Sequence, residues 1–198
     1  MDLEKMNVPN MLEFLRFMNE LKHLKRQGWV LKEVQEPETV AGHMYRMAVM
    51  SLLFPLKAGL DRVRCMELSL VHDMGESIIG DITPYCGVPR DEKLRREREA
   101  IDKLAALAGE GGAGGRIKAL FAEYEAQETA EAKFVKELDH LDLLLQAREY
   151  EQKGYTDLEE FFRLHFESPV TSDLALQIMA DHKAQSVENN LAKENGAN

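Results

Sequence analysis

The chain has 198 residues, with 35 Asp and Glu against 25 Lys and Arg, a formal net charge of -10, and two cysteines. That length closes a sizeable core without cross-links, two cysteines are too few for a disulfide scaffold, and the acidic balance argues against a nucleic acid polymer as partner. No apolar run reaches the ~20 residues of a membrane helix, and the first residues lack a basic leader with an apolar stretch, so an intracellular, cytoplasmic protein is expected.

Apolar residues at 11, 12, 14, 15, 18 and 21 recur at helical spacing and predict a helix over residues 11–24. Gln27, Gly28 and Trp29 interrupt the pattern ahead of a short segment at residues 30–34. Thr39 is placed to cap the next helix, whose stripe of Met44, Met47, Ala48, Leu52 and Leu53 runs to Pro55. A third helix is expected over residues 61–74, ending before Gly75. Gly80, Asp81, Pro84, Gly87 and Pro89 make residues 80–90 a loop.

Residues 91–108 return to helix. Their basic cluster from Lys93 to Arg98 is broken by Glu97 and bordered by Asp91 and Glu92, so it reads as a solvated face able to lend an arginine to a small phosphate ligand. The glycine-rich residues 109–115 lack the Gly-Lys-Ser/Thr ending of a phosphate loop and read as a flexible surface connection. Two helical runs over residues 116–152 meet near 127–129, with Leu138, Leu141, Leu144 and Leu145 lining the second. Residues 156–166 and 172–184 complete the helical set, with Phe161, Phe162, Leu164 and Phe166 in the core. The expectation is an all-α, compact multi-helix domain over residues 1–187, followed by a polar, frayed tail over residues 188–198.

His72 and Asp73 stand where an apolar helix ends. Adjacent helical residues project about 100° apart, so the pair can bracket one ion or form a buried His–Asp hydrogen bond. His43 taken alone reads more readily as a core histidine bonded to a backbone carbonyl. Asp139, beside Leu138 and four residues after Val135, approaches the buried edge of its helix, where a carboxylate is costly without a cation or strong donors. By residue type and spacing, a metal site and a buried polar network stand level. Glu76 and Asp81 would ordinarily be solvated acids near a helix end, Trp29 a core plug, and Arg26 and Lys32 surface charges. Cys65 reads as a small buried hydrophobe and Cys86 as a poor nucleophile candidate.

The order His43, His72-Asp73, Asp139 resembles the HD-domain metal-dependent phosphohydrolases. Glu38-Thr39-Val40, His43-Met44-Tyr45-Arg46-Met47-Ala48, His72-Asp73-Met74-Gly75-Glu76 and Gly80-Asp81-Ile82-Thr83-Pro84 make the chain similar to their 5'-deoxynucleotidase branch, over roughly residues 10–185. The resemblance implies a helical HD domain and a principal divalent ion on His43, His72, Asp73 and Asp139, with manganese or cobalt favoured and magnesium or iron as alternatives. It implies an auxiliary position, suited to magnesium, reached by Glu76, Asp81 and the main-chain carbonyl of Ile82.

The same resemblance makes Glu76 the first choice for proton transfer, with Asp81 as the alternative or a water-positioning partner. It sets Trp29 beside the sugar, where an apolar edge disfavours a 2'-hydroxyl. The bacterial pattern has arginine immediately before this tryptophan; here Gly28 takes that place, and Arg26 or Lys32 would supply the phosphate contact. The implied substrates are deoxynucleoside 5'-monophosphates and the implied assembly is a homodimer. Gly42 stands where relatives carry an acidic or polar residue, which points at reduced turnover. Two other readings follow: an HD phosphohydrolase for another nucleotide or a cyclic phosphodiester, and a metal-containing interaction protein with weak turnover.

Overall fold

Asn7 starts the first helix by accepting the Asn10 N–H on its side chain at 3.2 Å, and a proline in the first turn needs no such acceptor. In the computed structural model, which describes residues 7–55 and 59–196, α1 therefore runs Val8–Leu21 and starts ahead of the expected boundary. The chain then doubles back. Arg26 donates its N–H to the Glu38 carbonyl at 3.0 Å and Val40 to the Leu24 carbonyl at 2.9 Å, which pairs Lys25 with Thr39 in an isolated antiparallel bridge. Inside this loop, residues expected only as an interruption form a short helix, α2 (Gln27–Leu31).

Thr39 caps α3 (Val40–Leu53) as expected, its hydroxyl accepting the Gly42 N–H at 3.1 Å. Asp61 caps α4 (Arg62–Val71) through the Val63 and Arg64 N–H groups. α4 stops at Val71, short of the expected end, and His72 to Gly75 form turns before α5 (Glu76–Ile79). The loop expected over residues 80–90 is present, with one 3-10 turn at Pro84–Cys86. It leads to α6 (Arg90–Ala108), α7 (Gly114–Ala126), α8 (Ala130–Gln152) and α9 (Pro169–Gly196). Among the described residues the regular structure is helical, in agreement with the all-α expectation.

The chain divides into two compact units at Val135 and Lys136. In the first, α3 packs on α4, and Met44 and Met47 of α3 and Leu68 and Val71 of α4 are buried. Two serines lie buried in that pair, and each satisfies itself on its own helix. Ser51 donates to the Met47 carbonyl at 3.1 Å and Ser69 to the Cys65 carbonyl at 2.9 Å. Leu21 of α1 joins Val40 and Met44 in a cluster that Met18, Leu24, Ala41 and Met74 extend.

α6 and α7 pack against one another through Ile101, Leu104, Ile117 and Leu120. The glycine-rich stretch between them is short, and only its end is closely packed. The chain kinks over Gly109–Ala113, where Gly112 leaves the helical backbone at φ -131 and ψ -115, and α7 already begins at Gly114. Gly109 sits at φ +89, and a Cβ on Gly114 would fall 2.1 Å from the Ala105 carbonyl oxygen, so both positions require glycine for geometry.

In the second unit Leu138, Leu141, Leu144 and Tyr150 of α8 are buried, as are Phe162, Phe166, Ala175 and Ile178. Glu137 accepts the Ser168 N–H at 3.1 Å and the Thr171 hydroxyl, tying the start of α9 to α8. His182 lies between Glu151 at 2.6 Å and Glu159 at 2.9 Å and stacks on Phe162. The helix expected over residues 156–166 shrinks to a 3-10 turn at Glu159–Arg163, because Gly154 and Asp157 take left-handed φ of 95° and 64° just ahead of it. α9 carries helical backbone through residues 188–196, where fraying was expected; no glycine or proline interrupts it before Gly196. Residues 197 and 198 lie outside the described residues.

Candidate metal centre

The early end of α4 sets the site. His72 is its C-terminal cap, and its Nδ1 lies 2.9 Å from the Ser69 carbonyl oxygen. A carbonyl only accepts, so Nδ1 carries a proton, and Nε2 is the ring nitrogen left to face the site. That nitrogen is buried, makes no hydrogen bond, and stands 3.1 Å from Asp73 Oδ2. His43, one turn into α3 and fully buried, brings its Nε2 to 3.8 Å from the same oxygen. One ligand atom from each of His43, His72 and Asp73 lies within 4.8 Å of the others. The Tyr124 ring of α7 closes over His72 at 5.0 Å.

A lone-pair nitrogen and a carboxylate oxygen repel at 3.1 Å unless a cation or a proton lies between them. Imidazole nitrogen with carboxylate oxygen is a donor set that suits a borderline or hard divalent metal, so the residues fit such an ion. Burial alone would raise the Asp73 pKa, but His72, Arg26 and His43 beside it hold the carboxyl well below the usual range. Arg26 supplies its part through NH1, 3.4 Å from Asp73 Oδ2.

Glu76 opens α5 and is 4% exposed. Burial, then the negative charges of Asp73 and Asp81, push its pKa well above the ordinary value, with Arg26 and Lys93 opposing. Its Oε2 is buried without a hydrogen bond. Asp81 follows Gly80, whose φ of +78 turns the chain, and its Oδ2 accepts the Gln27 N–H at 2.7 Å. Asp81 is therefore tied to the first residue of α2, and Ile82 beside it is buried.

Trp29 is 1% exposed and donates its indole N–H to Glu38 Oε1 at 2.8 Å, a core position with one polar tie. Lys32 is half-buried and closes α2 with its backbone N–H. Asp139 lies on α8 in the second unit, where its Oδ2 accepts from Lys136 Nζ at 2.8 Å. Arg95 and Arg96 are spent on Glu92 at 2.9 and 2.7 Å, the solvated face that was expected.

Two functional candidates were not singled out from sequence. Glu38 gathers Trp29, Arg26 and Arg46 around one carboxylate. Lys93 lies one turn before Glu97 and 3.5 Å from it; burial opposes its charge, yet Glu97, Glu76, Asp73 and Asp81 favour it, and its pKa is raised. The sequence signal for Lys93 was its place on the first turn after the loop carrying Asp81. A cluster of like charges hid it.

A family model described as an HD domain matches residues 18–179. The 5'-deoxynucleotidase HDDC2 of Bos taurus is 51% identical over 142 residues, covering 72% of this chain and 68% of that protein. The human 5'-deoxynucleotidase HDDC2 is 48% identical over 155 residues, covering 77% of this chain and 75% of its own length. Among solved structures, the PH0347 protein of Pyrococcus horikoshii OT3 superposes with a TM-score of 0.70 at 29% identity, covering 85% of this chain and 98% of that one.

Proposed function

The chain belongs to the HD domain family, and on that premise we propose that it is a metal-dependent 5'-deoxynucleotidase, which hydrolyses deoxynucleoside 5'-monophosphates to deoxynucleosides and inorganic phosphate. The observation that carries the metal-dependent reading is the convergence of His43 Nε2 and His72 Nε2 on one oxygen of Asp73. The 5'-deoxynucleotidase names of the relatives support the substrate class.

His43, His72 and Asp73 would hold the principal ion, with Asp139 proposed as fourth ligand on the family resemblance. Manganese or cobalt is the favoured ion, with magnesium or iron as alternatives. An auxiliary magnesium on Glu76, Asp81 and the Ile82 carbonyl is the alternative use of the same acids, since a ligating Glu76 is ionised and has no proton to give. A bound divalent ion supplies positive charge for phosphate oxygens and lowers the pKa of water.

The chain's own residues do the rest. Burial and the charges of Asp73 and Asp81 raise the Glu76 pKa, which suits Glu76 to deliver a proton to the leaving 5'-oxygen as the phosphorus–oxygen bond breaks. The attacking water forms the new phosphorus–oxygen bond and returns a proton to the carboxylate, and the acid is restored. Asp81, held to the start of α2, is the alternative proton carrier or the group that orients the water. Arg26 lies against the site and Lys93 is drawn electrostatically to its acids, so both offset negative charge as a phosphate enters. Trp29, at 1% exposure, acts on sugar choice by bracing the loop that carries Arg26 and Glu38.

A cytoplasmic homodimer completes the proposal. Exposed Val8, Leu12 and Leu15 on one side of α1 are compatible with a second copy, and among the described residues no helix is long and apolar enough to cross a membrane. The test is a phosphate-release panel of deoxynucleotides, matching ribonucleotides and simple phosphate esters, with divalent metals supplied one at a time. Turnover of several deoxynucleotides that ends on chelation and returns with metal is the expected result. A folded, metal-filled protein inert toward every deoxynucleotide rejects the reading.

A further inference from the structure

Arg26 and Glu38 start from paired backbone, since the Arg26 N–H donates to the Glu38 carbonyl at 3.0 Å. Their side chains then meet again. Glu38 Oε1 lies 4.0 Å from Arg26 Nε and accepts the Trp29 indole N–H at 2.8 Å, while Oε2 lies 3.9 Å from Arg46 NH2. At its other end Arg26 brings NH1 to 3.4 Å from Asp73 Oδ2, the oxygen on which both histidines converge. One guanidinium, 14% exposed, is thus shared between a carboxylate of the site and one outside it.

We propose that Glu38 is a positioning residue that holds Arg26 by its Nε side, so that the terminal amino groups face the site as the anchor for the substrate phosphate. The proposal rests on the phosphomonoesterase reading for its ligand. A guanidinium offers five donors in a rigid fork, and a phosphate is best met by the two that point the same way. Without a second carboxylate, Arg26 would collapse onto Asp73 and compete with the incoming phosphate for its own donors. Glu38 prevents this by drawing on the side of the fork that the phosphate does not use. Arg46 and Trp29 fix Glu38 in turn, one by charge and one by a hydrogen bond.

Glu38→Gln separates positioning from folding. An amide oxygen still accepts the Trp29 N–H, while the charge that draws Arg26 is gone. KM for a deoxynucleoside monophosphate should rise about tenfold with kcat held within about threefold. Binding of inorganic phosphate, measured by calorimetry, should weaken about tenfold, with metal content unchanged. In an Arg26→Ala background the same substitution should raise KM by less than about twofold, since the group it positions is absent. Trp29 is the single tryptophan, so unchanged emission in Glu38→Gln and shifted emission in Glu38→Ala report the local structure directly.

Unchanged KM and phosphate affinity in Glu38→Gln overturn the proposal, as does an equal effect with and without Arg26. A wild-type protein that binds no inorganic phosphate overturns it too. If the wild type turns over no deoxynucleotide, the function reading fails, and phosphate calorimetry still decides the role of Glu38.

Discussion

His72 Nε2 and Asp73 Oδ2 lie 3.1 Å apart, and the other ring nitrogen of His72 is committed to the Ser69 carbonyl, so Nε2 alone faces the carboxylate. The backbone that places them is the turn after Val71, where α4 ends. An imidazole nitrogen and a carboxylate oxygen at this spacing, with His43 beside them, offer donors that one divalent cation can share.

His72→Ala should therefore lower metal content at least tenfold, and Asp73→Asn likewise, in protein that keeps its helical circular dichroism. Asp139→Ala should do the same if it is the fourth ligand. Elemental analysis after gel filtration is the measurement. Full occupancy in the His72 and Asp73 variants would defeat the assignment of the centre.

Glu76→Gln keeps the shape of a buried acid and removes its proton transfer. We expect kcat to fall roughly 10²–10⁴-fold, with metal content held by His43, His72 and Asp73. Wild-type turnover in a metal-filled Glu76→Gln protein would move the role to Asp81, and a parallel Asp81→Asn variant reads that out.

Trp29→Phe keeps most of the buried ring and loses the N–H that Glu38 accepts, at a cost of about 1 kcal/mol in stability. Trp29→Ala empties a fully buried site and should cost about 3–5 kcal/mol. The informative measurement is the deoxy-to-ribo ratio of kcat/KM in the folded Phe variant. A narrowed ratio is expected; equal losses for both sugars would end the role of Trp29 in sugar choice.

The two cysteines should react very differently. Cys65 is buried and its pKa is pushed up to about 12 by burial, then by Glu131 and Asp61, whereas Cys86 is exposed. Thiolate is the reacting form, so at pH 8 the Cys65 thiol stays protonated and shielded. Mass spectrometry after brief alkylation at pH 8 should find one modified thiol in the native protein, on Cys86, and two in denaturant. Rapid native labelling of Cys65 would contradict its placement.

Most helix starts and the general class could be read from the chain because their causes lie within one turn. Thr39 caps the Gly42 N–H three residues on, and Met44, Met47 and Ala48 of the expected stripe turn inward with the helical period, whereas its last two members, Leu52 and Leu53, are exposed at the end of α3. Errors fell where the deciding contact is distant. Gly114 looked like linker because the Ala105 carbonyl that excludes a side chain there belongs to the preceding helix. Residues 156–166 looked helical because their apolar content does not reveal the left-handed backbone at Asp157.

For the site, residue type and spacing left a metal centre and a buried polar network level, and it is the family resemblance that implied His43, His72 and Asp73 as donors, three residues whose ligand atoms lie within 4.8 Å of one another. Tertiary structure decided what those donors face. Arg26 reaches Asp73 across 47 residues only because Lys25 pairs with Thr39 and brings α2 back, and Glu38 enters through the same fold. Glu76 and Asp81 looked alike as acids, yet burial raises the Glu76 pKa while Asp81 spends an oxygen on the Gln27 N–H. The charge state of a carboxyl depends on the water and charges around it, which a local pattern of residues does not specify and a closed core does.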